Sequence, residues 1–447
     1  MSHYKPYPAY KDSGVEWIGE VPEHWSLLRL ANVGALMKAN GGNKQDDADR
    51  GIPCIRYGDL YTTYDLLIRQ VGKFINPDAE TDYTAIQYGD ILFAASGETF
   101  EEIGKSAVNL TQTHACCGGD IIILRPHRKF DPAFLAYAAG SSSSQTQKSL
   151  MGKGFTVIHI YGDQLRNIVI TAPPEQDQKF IVAKIESETA CIDALISKKT
   201  RFIELLKEKR SALITHAVTK GLDPNVKMKD SGVEWIGEVP EHWAVQPVKY
   251  LYSARLGKMV QPQSKNDEDV LVPYHRAQTV QWERIEHDQV ESMWANPSEI
   301  DSYSLEDGDL LICEGGDVCR AAIFNKQDSK PIIFQNSIHR VRPLNGNHPE
   351  WLLRLMQIVR STGWIDVLCS KNTIVHFTSD KLASLDCPRP PLDEQQKILT
   401  VLRDETARIV TLITKVQRSI DLLKERRSAL ITAAVTGKID VRENCHE

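Results

Sequence analysis

The chain has 447 residues, of which 42% are hydrophobic and 25% are charged, and its net charge at neutral pH is −6. This length and composition predict a globular protein with two or three domains. The acidic balance argues against the overall basic character of many nucleic-acid-binding proteins, although local basic patches remain compatible with it. No apolar run approaches the roughly 20 residues of a membrane-spanning helix, so we expect no membrane partner.

The nine cysteines contain no Cys-x-x-Cys pair. Cys116 and Cys117 are adjacent, and Cys313 and Cys319 are separated by five residues. Together with the lack of a signal peptide at the start, this usage predicts reduced thiols in a cytoplasmic protein, not disulfides or a metal site.

The first recognisable element is a tag of 15 residues that occurs twice. The segment 11–25 reads KDSGVEWIGEVPEHW and is repeated without change at 229–243. The two copies begin 218 residues apart. Solenoid repeats span only about 20–50 residues, so this longer period indicates a duplicated domain together with its connector.

Each tag is followed by a variable segment, 26–172 or 244–389. Short apolar runs such as Asp90–Ala95 and Asp309–Cys313 are bounded by Gly, Asp and Pro, which predicts strands in a mixed α/β domain. A few positions match between the two segments: Gly89-Asp90 with Gly308-Asp309, Arg125-Pro126 with Arg342-Pro343, and Thr156, His159 and Asp163 with Thr373, His376 and Asp380. We therefore expect one fold with two different surfaces.

A long helix is predicted after each of the pairs Pro173-Pro174 and Pro390-Pro391, which suit a helix start. Apolar residues recur there in steps of three and four, as in a heptad seam. The predicted seam contains Ile181, Ile185, Ile192, Leu195, Phe202, Leu206 and Leu213 in the first copy, and Ile398, Leu402, Ile409, Leu412, Val416, Leu423 and Leu430 in the second. Two interpretations stay open: a simple intramolecular core contact, or a pair of spacers that set the distance between the variable domains.

These elements predict an α+β fold in which two mixed α/β domains are separated by two long antiparallel coiled-coil helices, with an internal pseudo-twofold repeat. The expected boundaries are 1–172 for the first domain, 173–222 for the first helix, 223–389 for the second domain, 390–440 for the second helix and 441–447 for a tail.

The sequence contains no complete catalytic motif of the kinds considered below. Gly104-Lys105-Ser106 suggests a phosphate loop, but that pattern requires glycine at position 99, where the chain has Thr99. We find no Gly-x-Gly-x-x-Gly, Gly-x-Ser-x-Gly or His-Glu-x-x-His sequence. We therefore expect no catalytic residue and no cofactor bound by this chain.

Polar and cationic residues suited to base edges and phosphates are present but scattered. Each of them, taken singly, is more often a solvated surface residue. The candidate DNA contacts are Arg125, Arg128, Lys129, Gln145, Gln147, Lys148 and Lys153 in the first segment, and Arg276, Gln278, Arg320, Arg340, Lys371 and Asn372 in the second.

The doubled tag, the Pro-Pro helix start and the helix endings SALITHAVT (211–219) and SALITAAVTG (428–437) resemble the specificity subunit of type I restriction–modification enzymes. The resemblance covers the whole chain, since tag, variable segment and helix, twice over, is the plan of that family. It implies two target-recognition domains that each read one half of a split DNA sequence, while the helices hold them apart and dock two methyltransferase subunits.

The resemblance also implies restriction subunits that cleave unmodified DNA, with S-adenosylmethionine, ATP and Mg belonging to partner subunits. Trp17, Trp25, Trp235 and Trp243 in the tags are the candidate partner-docking residues. The alternative for them is that they plug the base of each domain against the helices. The alternative for the whole chain is a bivalent coiled-coil adaptor that binds two protein ligands and no DNA.

Overall fold

The computed structural model describes residues 4–327, 329–369 and 376–442. The chain divides into two compact units: unit 1 comprises Met1–Thr200 with Arg418–Glu447, and unit 2 comprises Arg201–Gln417. Each unit therefore contains one variable segment and a part of each long helix. No helix in the described ranges is long and apolar enough to cross a membrane.

The elements of unit 1 are short strands and helices. Its strands are β1 (Tyr10–Asp12), β2 (Glu20–Pro22), β3 (Ser26–Arg29), β4 (Gly34–Lys38), β5 (Asp47–Ala48), β6 (Ile52–Ile55), β7 (Leu67–Ile68), β8 (Phe74–Ile75), β9 (Thr84–Ile86), β10 (Ile91–Ala94), β11 (Ser96–Gly97), β12 (Ser106–Asn109), β13 (Ala115–Cys117), β14 (Ile121–Pro126), β15 (Ile158–His159) and β16 (Val169–Ala172). Its helices are α1 (Leu30–Val33), α2 (Tyr57–Thr62), α3 (Pro132–Gly140), α4 (Ser142–Met151), α5 (Gly162–Leu165) and the first part of α6 (Glu175–Lys220).

Unit 1 is built on two five-stranded sheets, with strand orders β4-β14-β10-β12-β7 and β5-β8-β6-β13-β9. All four residues of β10 are buried, which is why that strand reads as a continuous apolar run. Asp131 caps the start of α3 by accepting hydrogen bonds from the backbone of Ala133 and Phe134. The apolar helix α3 then packs into the same core as β10.

Unit 2 repeats this plan. Its strands are β17 (Met228–Asp230), β18 (Glu238–Pro240), β19 (Ala244–Pro247), β20 (Tyr252–Leu256), β21 (Val270–His275), β22 (Val280–Gln281), β23 (Arg284–Ile285), β24 (Glu291–Ala295), β25 (Leu310–Cys313), β26 (Ala321–Ile323), β27 (Ile333–Phe334), β28 (Ile338–Pro343) and β29 (Asp386–Arg389). Its helices are α7 (Pro297–Tyr303), α8 (Pro349–Ser361), α9 (Trp364–Leu368), α10 (Ser379–Ser384), the last part of α6 and the first part of α11 (Leu392–Val435).

The strand pairings of the two units correspond. The order β20-β28-β25-β26 in unit 2 matches β4-β14-β10-β12 in unit 1, and both sets are antiparallel. The parallel pair β21–β27 matches β6–β13, and β19–β29 matches β3–β16. The predicted α+β fold and the internal repeat are confirmed.

The long helices run antiparallel where they meet in unit 1. Asp193 of α6 forms an ion pair with Arg427 of α11 at 2.9 Å, and the earlier residues Ile181 and Ile185 share a core with the later segment 430–435. In unit 2 the end of α6 and the start of α11 likewise share one core. Gly221 and Gly437 follow the helix ends with φ near +75°, a conformation that glycine often adopts after the last turn of a helix.

The predicted apolar seam is wrong at three positions. Leu195, Phe202 and Leu412 are 42%, 44% and 45% exposed. In each case the next residue is also apolar and lies further inward; Ile203, for example, is only 6% exposed. Two adjacent apolar residues satisfy the same three-four spacing, and the helical packing selects the second of each pair.

Candidate nucleic-acid interface

Arg125 is held inside unit 1 by a carboxylate. Its Nη2 lies 2.7 Å from Oδ2 of Asp90, a residue whose side chain is only 1% exposed. Arg342 and Asp309 repeat this pair in unit 2. In both units a half-buried arginine pairs with a buried aspartate, which indicates a structural role, and the DNA contact of Arg125 stays a prediction.

Two further candidates in unit 1 are buried. Lys148 is 1% exposed and donates hydrogen bonds from Nζ to the carbonyl oxygens of Gly104 (2.8 Å) and Ala139 (3.2 Å). Burial lowers the pKa of this lysine to about 7. Gln147 is 4% exposed and bonds the backbone of Val169. Neither side chain is available to DNA in this structure, and we withdraw both.

Two arginines of unit 2 also support the domain's own backbone. Arg340 is 8% exposed and donates to the carbonyl of Ser304 at 2.7 Å. Arg320 is half-buried and donates to the carbonyl of Ala277 at 2.7 Å.

The remaining candidates reach the surface in different places. Arg128, Lys129, Lys153 and Gln278 are exposed, while Gln145 and Arg276 are half-buried. Lys129 forms an ion pair with Glu175 at 3.2 Å, and Arg276 one with Glu291 at 2.5 Å. Lys371 and Asn372 lie outside the described residues.

The tag tryptophans divide into two kinds. Trp25 and Trp243 are 0% and 1% exposed, and the indole of Trp25 donates to Asp177 in the first turn of α6. Both lie in the core at the base of their domains, so we withdraw them as partner-docking residues. Trp17 is 40% exposed, and Trp235 is half-buried and stacks on another tryptophan, so these two remain candidates.

Unit 1 contains an open cleft of about 710 Å³. Three loops form it: the segment after β4, the start of α2 and the turn between β13 and β14. The lining residues are Lys38, Ala39, Asn40, Gly41, Gly42, Asn43, Lys44, Arg56, Tyr57, Gly118, Gly119 and Asp120. We call this surface the unit 1 cleft. It combines cationic side chains, amides and exposed backbone, which together suit phosphates and base edges.

The unit 1 cleft depends on close approach of backbone segments. A Cβ added to Gly41 would lie 2.6 Å from the backbone nitrogen of Gly119, so only glycine fits there. Backbone hydrogen bonds of 2.9 Å from Ala39 to Ile121 and from Gly118 to Ile55 join the three loops.

Arg56 lies at the junction of these loops. It forms an ion pair with Asp47 and donates to the carbonyl of Asn43 (3.0 Å) and to the hydroxyl of Tyr83 (3.2 Å). Burial alone would lower the pKa of this guanidinium, but Asp47 and Tyr83 reverse the effect and raise it. Arg56 therefore stays charged and orders the wall of the cleft.

The same three loops occur in unit 2 with different side chains. Gly257 bonds Ile338 (3.1 Å) and Gln335 bonds His275 (2.9 Å), which reproduces the two backbone links of the unit 1 cleft. The loops are 257–261, 276–278 and 335–337, and we call them the unit 2 loops. Their exposed side chains include Met259 (75%), Val260 (42%) and Gln278, so this surface presents apolar and amide groups beside the half-buried Arg276.

Sequence reasoning missed most of this surface. It selected Arg276 and Gln278 but not Lys38, Lys44 or Arg56. A usable signal existed, because Arg56 and Arg276 each follow a strand at matching places in the repeat and each precedes the first turn of a helix.

The chain thus consists of two units of one topology that share a pair of long helices and differ in their loops. Comparison with known proteins identifies its kind. Residues 253–422 match the family model described as Type I restriction modification DNA specificity domain.

Relatives align over nearly the whole chain. The chain is 22% identical over 440 residues to the type I restriction enzyme EcoKI specificity subunit of Escherichia coli (strain K12), covering 94% of this chain and 90% of the relative. It is 25% identical over 441 residues to the putative type I restriction enzyme MjaX specificity subunit of Methanocaldococcus jannaschii, covering 95% and 96%. Residues 253–422 therefore match a type I restriction–modification DNA specificity domain, and the chain as a whole is similar to specificity subunits of type I restriction enzymes.

A solved structure supports the fold. A chain from a study of complex assembly and conformational transition in a type I restriction–modification system matches with a TM-score of 0.67 at 17% identity, covering 93% of this chain and 98% of that chain. At this identity the similarity establishes the shared architecture.

Proposed function

We propose that this chain is the DNA-sequence-recognising subunit of a type I restriction–modification complex, and that each unit reads one half of a bipartite target. The observation that carries the proposal is the pair of equivalent loop sets. Identical backbone links hold three loops together in both units, while the exposed side chains differ between them. Two domains that recognise different DNA sequences independently require the same backbone frame with different side chains on its surface.

The chemistry of the two surfaces supports different base preferences. Lysine and arginine in the unit 1 cleft suit phosphates and the acceptors of guanine, and asparagine suits adenine. In the unit 2 loops, Gln278 suits adenine, and Met259 and Val260 offer apolar contact for the methyl group of thymine. Lys129 and Arg128 in unit 1 remain proposed phosphate contacts.

The proposed partners are double-stranded DNA, two methyltransferase subunits and restriction subunits. A duplicated frame provides two equivalent docking surfaces. Trp17 and Trp235 lie on the repeated tags with accessible ring surface, so we assign methyltransferase docking to these tags. The specificity subunit itself is non-catalytic. S-adenosylmethionine, ATP and Mg would act on the partner subunits of an adenine methyltransferase and ATP-dependent endonuclease.

A net charge of −6 is compatible with this proposal. Phosphate contacts supply most of the salt-dependent affinity of a protein for DNA. In an assembled complex the partner subunits contribute such contacts, so this chain needs only local cationic sites such as those in the unit 1 cleft.

The test is a binding selection from a randomised duplex library, using the chain co-purified with its methyltransferase subunits. We expect the retained DNA to share two short sequences separated by an unread spacer of fixed length. A bivalent adaptor that binds no DNA would enrich no sequence in this selection, and that result would refute the proposal.

A further inference from the structure

Arg427, near the end of α11, links three segments of unit 1. Its Nη2 lies 2.6 Å from Oδ2 of Asp65, in the loop before β7, and its Nε lies 2.9 Å from Oδ1 of Asp193 on α6. The arginine side chain is only 22% exposed. We call these three residues the Arg427 cluster. It connects the variable domain of unit 1 to both long helices.

Arg210 occupies the matching position near the end of α6, in the sequence KEKRSALIT that corresponds to KERRSALIT around Arg427. Its Nη2 lies 2.5 Å from Oε2 of Glu283, in the turn between β22 and β23. Arg354 of α8 pairs with the same carboxylate and, at 2.8 Å, with Glu350. Glu350 in turn pairs with Arg403 of α11 at 2.5 Å. We call these five residues the Arg210 cluster.

The two carboxylates that face the helix arginines lie at similar places in the two variable segments. Asp65 and Glu283 lie 218 positions apart, the same offset as the two tags. Each follows an aromatic residue and shortly precedes a two-residue strand, β7 or β23. The variable segments differ almost everywhere else, yet both keep an acid opposite the arginine.

Apolar packing does not fill the space beside these arginines. Arg427 and Asp65 border a cavity of about 260 Å³, and Arg210 borders one of about 300 Å³ that is also lined by Trp282. At these junctions the ion pairs connect the domain to the helix end. Arginine suits the task because its planar fork fixes direction as well as distance.

The ion pairs of the two clusters affect the orientation of the domain more than the free energy of unfolding. Ion pairs with exposed partners contribute little to stability because water screens them, and Asp65 is 58% exposed. Arg69 adds a second contact, to Glu186 on α6, but the side chains of Arg69 and Glu186 are 63% and 42% exposed.

We propose that Arg427 and Arg210 are positioning residues that fix the orientation of each recognition domain on the helices of its own unit, through Asp65 and Glu283. This inference rests on the proposed function for its consequence. Two half-sites on a duplex must be met at a defined helical phase, and one base pair changes that phase by about 34° at ~10.5 pairs per turn. Recognition domains whose orientation is less well fixed would therefore also accept spacers that are one base pair longer or shorter.

The first test measures orientation without DNA. Cys191 on α6 is exposed, whereas the other cysteines in the described ranges are buried. Spin labels on Cys191 and on an Arg50→Cys variant, with Cys445 replaced by serine, report the distance between helix and domain within unit 1. We expect one narrow distance distribution in the parent chain and a broader one in Asp65→Asn and Arg427→Ala. Equal widths in all three proteins would overturn the proposal.

Asp193→Asn is the matched control. It removes the ion pair between the two helices on the same arginine but leaves the link to the domain. We expect its distance distribution to stay narrow. Broadening equal to that of Asp65→Asn would show that the cluster only holds the helices together, and would also overturn the proposal.

The second test is a selection from duplexes with randomised spacers, on complexes containing the methyltransferase subunits. Asp65→Asn and Glu283→Gln should keep both half-site sequences while accepting spacers one base pair longer or shorter. A loss of affinity at the original spacer length only, with no new lengths accepted, would contradict the inference. If the parent complex selects no bipartite sequence, the proposed function fails, while the spin-label result still decides the orientation claim.

Discussion

Lengthening both long helices should lengthen the unread spacer of the DNA target. The perturbation is an insertion of seven residues between Thr200 and Arg201 and another between Gln417 and Arg418, where the two units divide. Contacts within each unit stay unchanged. A heptad also preserves the apolar seam, since it turns the helix by only about 20° from its original phase.

The expected magnitude follows from helix and duplex geometry. Seven residues add about 10 Å at 1.5 Å per residue. B-DNA rises about 3.4 Å per base pair, so this length corresponds to roughly three pairs. Three pairs also rotate the second half-site by about a third of a turn at ~10.5 pairs per turn. DNA twisting or helix bending must absorb part of that rotation, so a weaker preference for a smaller increase agrees with the same reasoning.

The assay is a spacer-randomised binding selection on the complex with methyltransferase subunits. The control is the same insertion in α6 alone, which puts the paired helices out of register and should reduce binding at every spacer length. An unchanged preferred spacer in a folded, partner-bound double insertion would refute the reasoning. It would mean that the partner subunits, and not the helices, fix the distance.

Three further predictions concern unit 1. Lys44→Ala in the cleft should weaken DNA binding about equally for all sequences and reduce the salt slope by about 1, whereas Lys198→Ala on α6 should change neither quantity in filter binding. Gly41→Ala should lower the free energy of unfolding by about 1–3 kcal/mol because its Cβ meets backbone; Gly58→Ala, with open space around it, should be neutral or stabilising by up to about 1 kcal/mol in the same denaturant titration. Lys148 has a folded pKa of about 7, below its unfolded value, so the unfolded state binds the extra proton and stability should rise with pH above 7. Lys148→Met should reduce that slope by up to about 1.4 kcal/mol per pH unit, and an unchanged slope would argue against the lowered pKa.

The duplicated frame could be predicted because local sequence signals carry it. Both tags form the same hairpin, and the paired turns Ser13–Gly19 and Ser231–Gly237 have matching backbone bonds. The apolar runs around β10 and β25 could be predicted as strands. Both strands are buried on both faces, so their sequences are continuously apolar and do not alternate between apolar and polar residues. Neither feature depends on distant parts of the chain.

The candidate site could not be predicted in the same way. The unit 1 cleft assembles three loops that are far apart in sequence, and their meeting depends on the parallel pair β6–β13. Lys148 illustrates the reverse error: a lysine in a polar run is expected to be solvated, but its position on α4 places it in the core, where two carbonyl oxygens accept hydrogen bonds from its Nζ. Side-chain direction at such positions is a property of tertiary packing.

The most direct test of the central claim is to exchange the segment 26–172 for the corresponding segment of a relative with a different target, and to repeat the binding selection. We predict that one half of the selected sequence changes while the other half and the spacer stay as they were. A change in both halves, or in neither, would contradict the account of two independent recognition domains on a common frame.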